Sequence, residues 1–260
     1  MFLKKLSYCA LFLLLVSFGC GGKQEEQPAA PTPAPAAPSA NLYDPAKATA
    51  SVTGKIVFEG AKPTLAKLAL TPECQQAHGA PLMEETVKVN ETNMLADAFV
   101  YVKEGAEKWT YPDPTDSPVL DQVGCRYTPH VMGVRVNQKF AILNSDPFLH
   151  NVHPQPTAAG NDPFNQGMPV KGMKIDHAFK APEIMIPVKC DVHRWMQAYI
   201  AVMEHPFYAV SGADGTFSIQ NLPAGTFTIE SWHEKYGAQT QQITVADGEA
   251  KEVSFTYKAS

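Results

Sequence analysis

Along most of this chain, apolar and polar side chains alternate with the two-residue period of β-strands. Residues 55–60 and 98–103 are rich in β-branched and aromatic side chains and end at or near a glycine. Residues 210–219 place a strand pattern after an Asp-Gly turn, and residues 221–229 turn into another strand. Residues 253–257 alternate strictly in a last strand. The pattern predicts an all-β protein.

The N-terminus has the features of an export signal. Lys4 and Lys5 precede an apolar run over residues 6–18 that is short for a membrane span, so we expect residues 1–19 to be a signal peptide. The residues around Cys20 resemble a bacterial lipobox, which implies lipidation of Cys20 and attachment to a membrane. Simple cleavage, leaving Cys20 as a free thiol, is the alternative. Either way we expect a protein of the periplasm or cell surface.

Segments poor in large apolar residues divide the rest of the chain. Residues 20–50 are rich in Pro and Ala and predict a disordered, extended spacer. Residues 106–118 contain several prolines and acids, as linkers do, and residues 154–182 predict a long excursion beside the candidate site. The domains expected from these breaks are a β segment over 51–105, a domain over 106–204 and a smaller one over 205–260.

A cluster of metal-ligand residue types lies within residues 190–196. Cys190, His193 and Met196 are three positions apart, so one tight loop between two strands can bring their donor atoms together. His150 follows a turn-prone Asn-Ser-Asp-Pro sequence and can add a second imidazole from another strand end. Two His nitrogens, one Cys thiolate and a weak axial Met hold copper for one-electron transfer. The sequence therefore predicts one type 1 copper ion as the cofactor.

Other roles for these residues are also considered. Cys190 could be half of a disulfide, although the spacing of His193 and Met196 would then be a coincidence. His153 could replace His150, but on a strand an offset of three positions places it on the opposite face. Met196 is the least secure ligand, because Met is often a core filler.

The quoted motifs resemble the cupredoxins, and the short gap between His193 and Met196 resembles the amicyanin-type loop. Some secreted proteins of the methylamine-utilisation type have a similar motif with proline where this chain has Arg194. The resemblance covers roughly residues 119–203 and implies a Greek-key β-sandwich. The copper ligands that it implies are His150, Cys190, His193 and Met196.

Two further residues are expected next to these ligands. The resemblance implies that the side chain of Asn151 ties the two ligand loops together. Trp195, with the apolar residues near it, would keep the site partly dry, which helps to set the reduction potential.

Residues 210–229 resemble the carboxypeptidase regulatory-like, transthyretin-type β-sandwich. The first half of that family's pattern resembles residues 53–57 together with residues 98–102. This implies a copper domain inserted into a smaller sandwich built from both ends of the chain. A separate N-terminal β segment packed on the copper domain is the simpler alternative.

The sequence contains five cysteines. Cys9 lies in the signal and Cys20 at its end, which leaves three in the folded part. In an oxidising compartment, three cysteines suggest one pair and one odd thiol. If Cys190 binds copper, Cys74 and Cys125 are the pair, with two buried free thiols as the alternative.

The formal net charge is −5, which argues against nucleic-acid binding because that requires a basic face. We expect a one-electron carrier rather than an enzyme, with no small-molecule substrate. Electrons would pass through the His193 edge to a redox protein partner in the cell envelope. The alternative is a non-redox envelope protein for adhesion, binding or copper handling. A copper enzyme is less well supported, since the sequence shows no second His cluster with metal-ligand spacing.

Overall fold

The computed structural model describes residues 41–78 and 80–259. The predicted signal peptide, Cys20 and most of the predicted spacer lie outside this part of the chain. Its elements, in chain order, are β1 (Asn41–Leu42), β2 (Ala50–Glu59), α1 (Pro72–His78), β3 (Phe99–Glu104), β4 (Trp109–Thr110), β5 (Val119–Gln122), β6 (Tyr127–Thr128), β7 (Val131–Arg135), β8 (Phe140–Asn144), β9 (His150–Pro154), β10 (Gln166–Met168), β11 (Lys174–His177), β12 (Glu183–Lys189), β13 (Gln197–Met203), β14 (Tyr208–Val210), β15 (Thr216–Leu222), β16 (Gly225–His233), β17 (Gly237–Val245) and β18 (Ala250–Lys258).

The first sandwich is built from the middle of the chain. One sheet has the strand order β10-β9-β12-β13-β7 and the other β11-β8-β5-β6. Apolar side chains from both sheets form one buried cluster, which includes Phe140 and Ile142 from β8 and Ile186 and Val188 from β12. The loop from β12 to β13 and the start of β9 carry the predicted metal ligands.

The second sandwich uses strands from both ends of the chain. Its sheets have the orders β14-β3-β16-β17 and β15-β2-β18. Strand β2 is hydrogen-bonded to β15 on one side and to β18 on the other, while β3 lies between β14 and β16. Because β2 and β3 hold inner positions, the C-terminal strands alone cannot complete either sheet.

A third apolar cluster lies where the two sandwiches meet. It contains Phe99 and Tyr101 of β3 together with Val131 of β7 and Met203 of β13. The ring of Tyr208 stacks on that of Phe99 with centroids 5.5 Å apart. The strands of the two sandwiches therefore share apolar contacts.

The fold class is all-β, as the alternation predicts, but the predicted spacer extends too far along the chain. Residues 41–50 are not part of a disordered spacer, because Tyr43 is buried and its hydroxyl donates to the carbonyl of Asn221 at 2.7 Å. The β segment expected over 51–105 contains β2 and β3 near its two ends, with the short helix α1 between them. Within the described ranges, no helix has the length and hydropathy needed to cross a membrane.

Candidate metal centre

Three donor side chains converge in the first sandwich. Nδ1 of His150 lies 2.9 Å from Nδ1 of His193, and the latter atom lies 3.9 Å from Sγ of Cys190. These three residues form a buried cluster whose ligand atoms all lie within 4.8 Å of one another. Cys190 is a free thiol. The predicted trio is therefore brought together, with one nitrogen of each imidazole turned inward.

The loop after β12 is held by its own backbone. The Cys190 N–H donates to the carbonyl of Met196 at 3.2 Å, and the Met196 N–H donates to the carbonyl of His193 at 2.8 Å. The His193 N–H points at Sγ of Cys190 from 3.4 Å. Met196 itself is buried in the apolar core of this sandwich. These bonds close a tight turn that presents the thiol and the imidazole on the same side.

Asn151 joins the two ligand-bearing segments. Its Oδ1 accepts from the N–H of Asp191 at 2.7 Å and from that of Val192 at 3.3 Å, and it lies 3.3 Å from Sγ of Cys190. Because Asn151 directly follows His150, one amide sets the distance between the segment that carries His150 and the loop that carries Cys190.

Asp146 is the outer partner of His150. Its Oδ2 lies 2.8 Å from Nε2 of His150, and its carboxylate accepts the backbone N–H groups of Gly124 and Cys125, each at 2.8 Å. Burial alone would raise the pKa of Asp146, but the bonds from Cys125, His150 and Gly124 leave that pKa below its usual value. The ionised carboxylate fixes the ring so that Nδ1 faces the cluster.

His193 is covered rather than open to solvent. Its exposed fraction is 0%, and its Nε2 lies 3.6 Å from Oε1 of Glu73 on α1. Burial, followed by the nearby His150, lowers the pKa of His193, which favours the neutral ring that binds metals. The edge of His193 through which electrons were expected to pass is thus covered by α1, a helix from far upstream in the chain.

Aromatic rings enclose the cluster. The ring of Trp195 lies 5.1 Å from that of His193, and its Nε1–H donates to the carbonyl of Cys125 at 3.1 Å. The ring of Phe148 lies 5.3 Å from that of His150. Trp195 therefore lies beside His193, one of the predicted ligands.

A disulfide between Cys74 and Cys125 ties α1 to this region. Both cysteines are buried, and each offers a sulfur within 4.8 Å of a ring nitrogen of His193. The cross-link therefore lies directly against the candidate centre, a position that cysteine counting did not indicate.

The remaining histidines lie elsewhere. Nδ1 of His153 is 3.1 Å from Asp191, so this ring contacts the ligand loop without entering the donor cluster.

Sequence reasoning missed Asp146 and Glu73. Asp146 lies only four positions before His150, so the sequence could have indicated that the two side chains are close. Nothing in the sequence connects Glu73 with His193.

Comparison with known proteins gives structural similarities only. No protein-family profile and no curated protein matches the sequence. Similar solved structures include a copper-containing nitrite reductase from Thermus scotoductus SA-01 (21% identity, TM-score 0.32), which matches over 40% of this chain and 25% of its own. An oxidised amicyanin variant (20% identity, TM-score 0.30) matches over 34% of this chain and 82% of its own. A purple cupredoxin from Nitrosopumilus maritimus (16% identity, TM-score 0.28) matches over 34% and 100%.

The match therefore spans only about a quarter of the nitrite reductase. At these levels of similarity, function has to be argued from the donor atoms of this chain.

Proposed function

We propose that this chain is an exported, membrane-tethered copper protein that carries single electrons. The observation that carries the proposal is the buried trio of His150, Cys190 and His193, whose ligand atoms lie within 4.8 Å of one another. Two imidazoles and one thiolate form the donor set that suits both Cu(I) and Cu(II). Met196, buried in the same loop, is the candidate for a weak fourth ligand.

The donor set fits copper in its protonation chemistry. A ligating His donates its other ring N–H to an outer acceptor, which fixes the tautomer. Nε2 of His150 has Asp146 as that acceptor, and Nε2 of His193 faces Glu73. Both Nδ1 atoms are thereby left free to bind. The backbone N–H of His193 points at Sγ of Cys190, which is the kind of hydrogen bond that a thiolate accepts.

Bound copper would supply one-electron chemistry by cycling between Cu(II) and Cu(I). The protein's own contribution is to keep the donors in one arrangement during that cycle. Asn151 and the closed turn from Cys190 to Met196 restrain the ligand loop, and Phe148 and Trp195 exclude water from the imidazoles. A restrained, partly dry site needs little rearrangement on redox change.

The surface beside the ligands suits a protein partner. Leu149 is 44% exposed and Val192 is 42% exposed. Each directly adjoins a His ligand in sequence, and their segments are joined by Asn151. We propose that a redox protein of the cell envelope docks against these apolar side chains. Cleavage after residue 19 and lipidation of Cys20 would hold the protein at the membrane where such a partner is met.

The absorption spectrum tests this proposal. The mature chain carrying Cys20→Ala is titrated with Cu(II), reduced and reoxidised. We expect an intense thiolate-to-copper band that bleaches and returns, and that is lost in Cys190→Ser while the far-UV circular dichroism is unchanged. A band that persists in Cys190→Ser would contradict the assignment of the thiolate. Tight Cu(I) binding with no reversible band would instead support copper handling without electron transfer.

A further inference from the structure

Each imidazole of the candidate centre has a carboxylate on its outer side. Asp146 lies 2.8 Å from Nε2 of His150. Glu73 lies 3.6 Å from Nε2 of His193, which is an ion-pair distance slightly longer than a hydrogen bond. The two carboxylates come from unrelated places: one from the turn before β9, and the other from the helix between β2 and β3.

The outer nitrogen of His193 needs an acceptor. This atom is buried and has no hydrogen-bond partner among the residues that the structure describes. When Nδ1 binds a metal, the neutral ring keeps its proton on Nε2, and a buried N–H without an acceptor is unfavourable. The carboxylate of Glu73 is the acceptor at hand, and closing 3.6 Å to hydrogen-bonding distance requires a shift of only a fraction of an ångström.

The placement of Glu73 depends on the disulfide. Helix α1 has seven residues, too few for a helix to be stable by itself. Cys74, the next residue, is bonded to Cys125. The backbone of Cys125 in turn donates to Asp146 and accepts from Trp195. The cross-link therefore fixes Glu73 relative to Cys125, whose backbone also holds Asp146, the outer partner of His150.

We propose that Glu73 is a positioning residue for the copper centre, the outer partner of His193, and that the Cys74–Cys125 disulfide holds it there. The inference rests on the proposed copper function and deepens it. The segment that carries α1, between β2 and β3, would then pack over the loop from Cys190 to Met196 in order to hold Glu73 beside His193.

A carboxylate in this position has a defined effect on the redox equilibrium. Its negative charge and its hydrogen bond both make the imidazole a stronger donor, which stabilises Cu(II) more than Cu(I). Removing the charge should therefore raise the reduction potential. The carboxylate is partly solvent-exposed, so the effect is screened but keeps its sign.

The test compares three variants of the copper-loaded, full mature chain. Glu73→Gln removes the charge, whereas Glu73→Asp keeps the charge but shortens the side chain by one methylene group. Glu91→Gln is the control, because it removes a fully exposed carboxylate that is paired with Lys62. For Glu73→Gln we expect about a ten-fold loss of Cu(II) affinity, a smaller loss of Cu(I) affinity and a more positive potential. Glu73→Asp should fall between Glu73→Gln and the parent, and Glu91→Gln should match the parent.

A double-mutant cycle tests the role of the disulfide. In the Cys74→Ala/Cys125→Ala background, the further change Glu73→Gln should alter the potential little, because the carboxylate is no longer held. A full Glu73→Gln effect in that background would overturn the role of the cross-link. Far-UV circular dichroism establishes that the background folds. A background that does not fold would show that the cross-link stabilises the whole fold, and would overturn its specific role in holding Glu73.

The outcomes separate this inference from the function on which it rests. A parent protein without a thiolate-to-copper band defeats the proposed function. A parent with that band, combined with a Glu73→Gln variant of unchanged affinity and potential, defeats only the role of Glu73.

Discussion

At the scale of single residues, the amide of Asn151 determines how the ligand segments meet. Its oxygen accepts two successive backbone N–H groups of the ligand loop, while its Nδ2 donates to Asn165 at 2.6 Å. A carboxamide can do both at once, because it is an acceptor at one end and a donor at the other. A residue that only fills space would leave these two loop N–H groups without their acceptor.

Asn151→Ala should weaken copper binding without unfolding the sandwich. We expect about a 10–100-fold loss of affinity, typical for removal of a residue that orients metal ligands, measured by competition with a chelator. Gln166→Ala is the matched control, since among the described residues that exposed side-chain amide bonds only to the neighbouring carbonyl of Gly167. Equal affinities for both variants would show that Asn151 does not restrain the loop.

At the scale of secondary-structure elements, β2 is the central strand of one sheet of the second sandwich. It lies between β15 and β18. Gly54 of β2 pairs with Phe217 of β15 and with Val253 of β18. A Cβ at that position would collide with the carbonyl oxygen of Val253 and would lie 2.7 Å from the ring of Phe217. The glycine lets the strands approach, so the sheet depends on the absence of a side chain.

Gly54→Ala should therefore destabilise the protein by about 1–3 kcal/mol, the usual cost of overpacking. The free energy of unfolding in urea measures it. Gly167→Ala is the control, because a Cβ there meets nothing within 4 Å. A Gly54→Ala variant as stable as the control would mean that the strands separate without cost.

At the scale of the whole molecule, one buried ion pair joins the two sandwiches. Nε2 of His130, just before β7, lies 2.5 Å from Oε1 of Glu234 in the turn after β16. Burial alone would lower the pKa of His130, but the hydrogen bond and charge of Glu234, with smaller contributions from Asp97 and Glu85, raise that pKa above 6.5. The charged ring is thus favoured by folding.

The sign of the pH dependence follows from the raised pKa. The stabilisation by His130 is fully present below its unfolded pKa of about 6.5 and is lost as the pH rises through the higher folded value. Wild type and His130→Gln should differ in unfolding free energy by about 3 kcal/mol at about pH 5.5, where His130 is charged and carboxylates are ionised. The difference should be smaller at about pH 9, where the ring is neutral. Urea unfolding at both pH values measures it.

The comparison with His130→Gln also removes the contribution of His205. Burial lowers the pKa of His205 to about 4, so this residue destabilises the folded state in acid in wild type and variant alike. Burial also lowers the pKa of His233 to about 4, with a smaller contribution from the nearby His130, so the comparison is made above the pH range in which His233 titrates. A difference that does not change with pH would show that His130 is uncharged in the folded protein.

The amino-acid sequence alone was sufficient for the all-β fold class, and it indicated which side chains could donate to a metal. Strand alternation is a local signal, because successive side chains of a strand point to opposite faces. The spacing of Cys190, His193 and Met196 is local as well, since all three lie on one loop whose closure needs only its own backbone bonds. His150 could be added because its residue type suited the same metal.

The surroundings of those side chains depend on tertiary packing. Helix α1 lies beside His193 and is tied there by a disulfide, and Glu73 becomes a neighbour of His193 through packing that no local pattern encodes. The inner positions of β2 and β3, the burial of His193 and the contact between His130 and Glu234 likewise join residues far apart in the chain. Such contacts depend on how whole sheets pack together, whereas a sequence pattern reports only on the nearest residues along the chain.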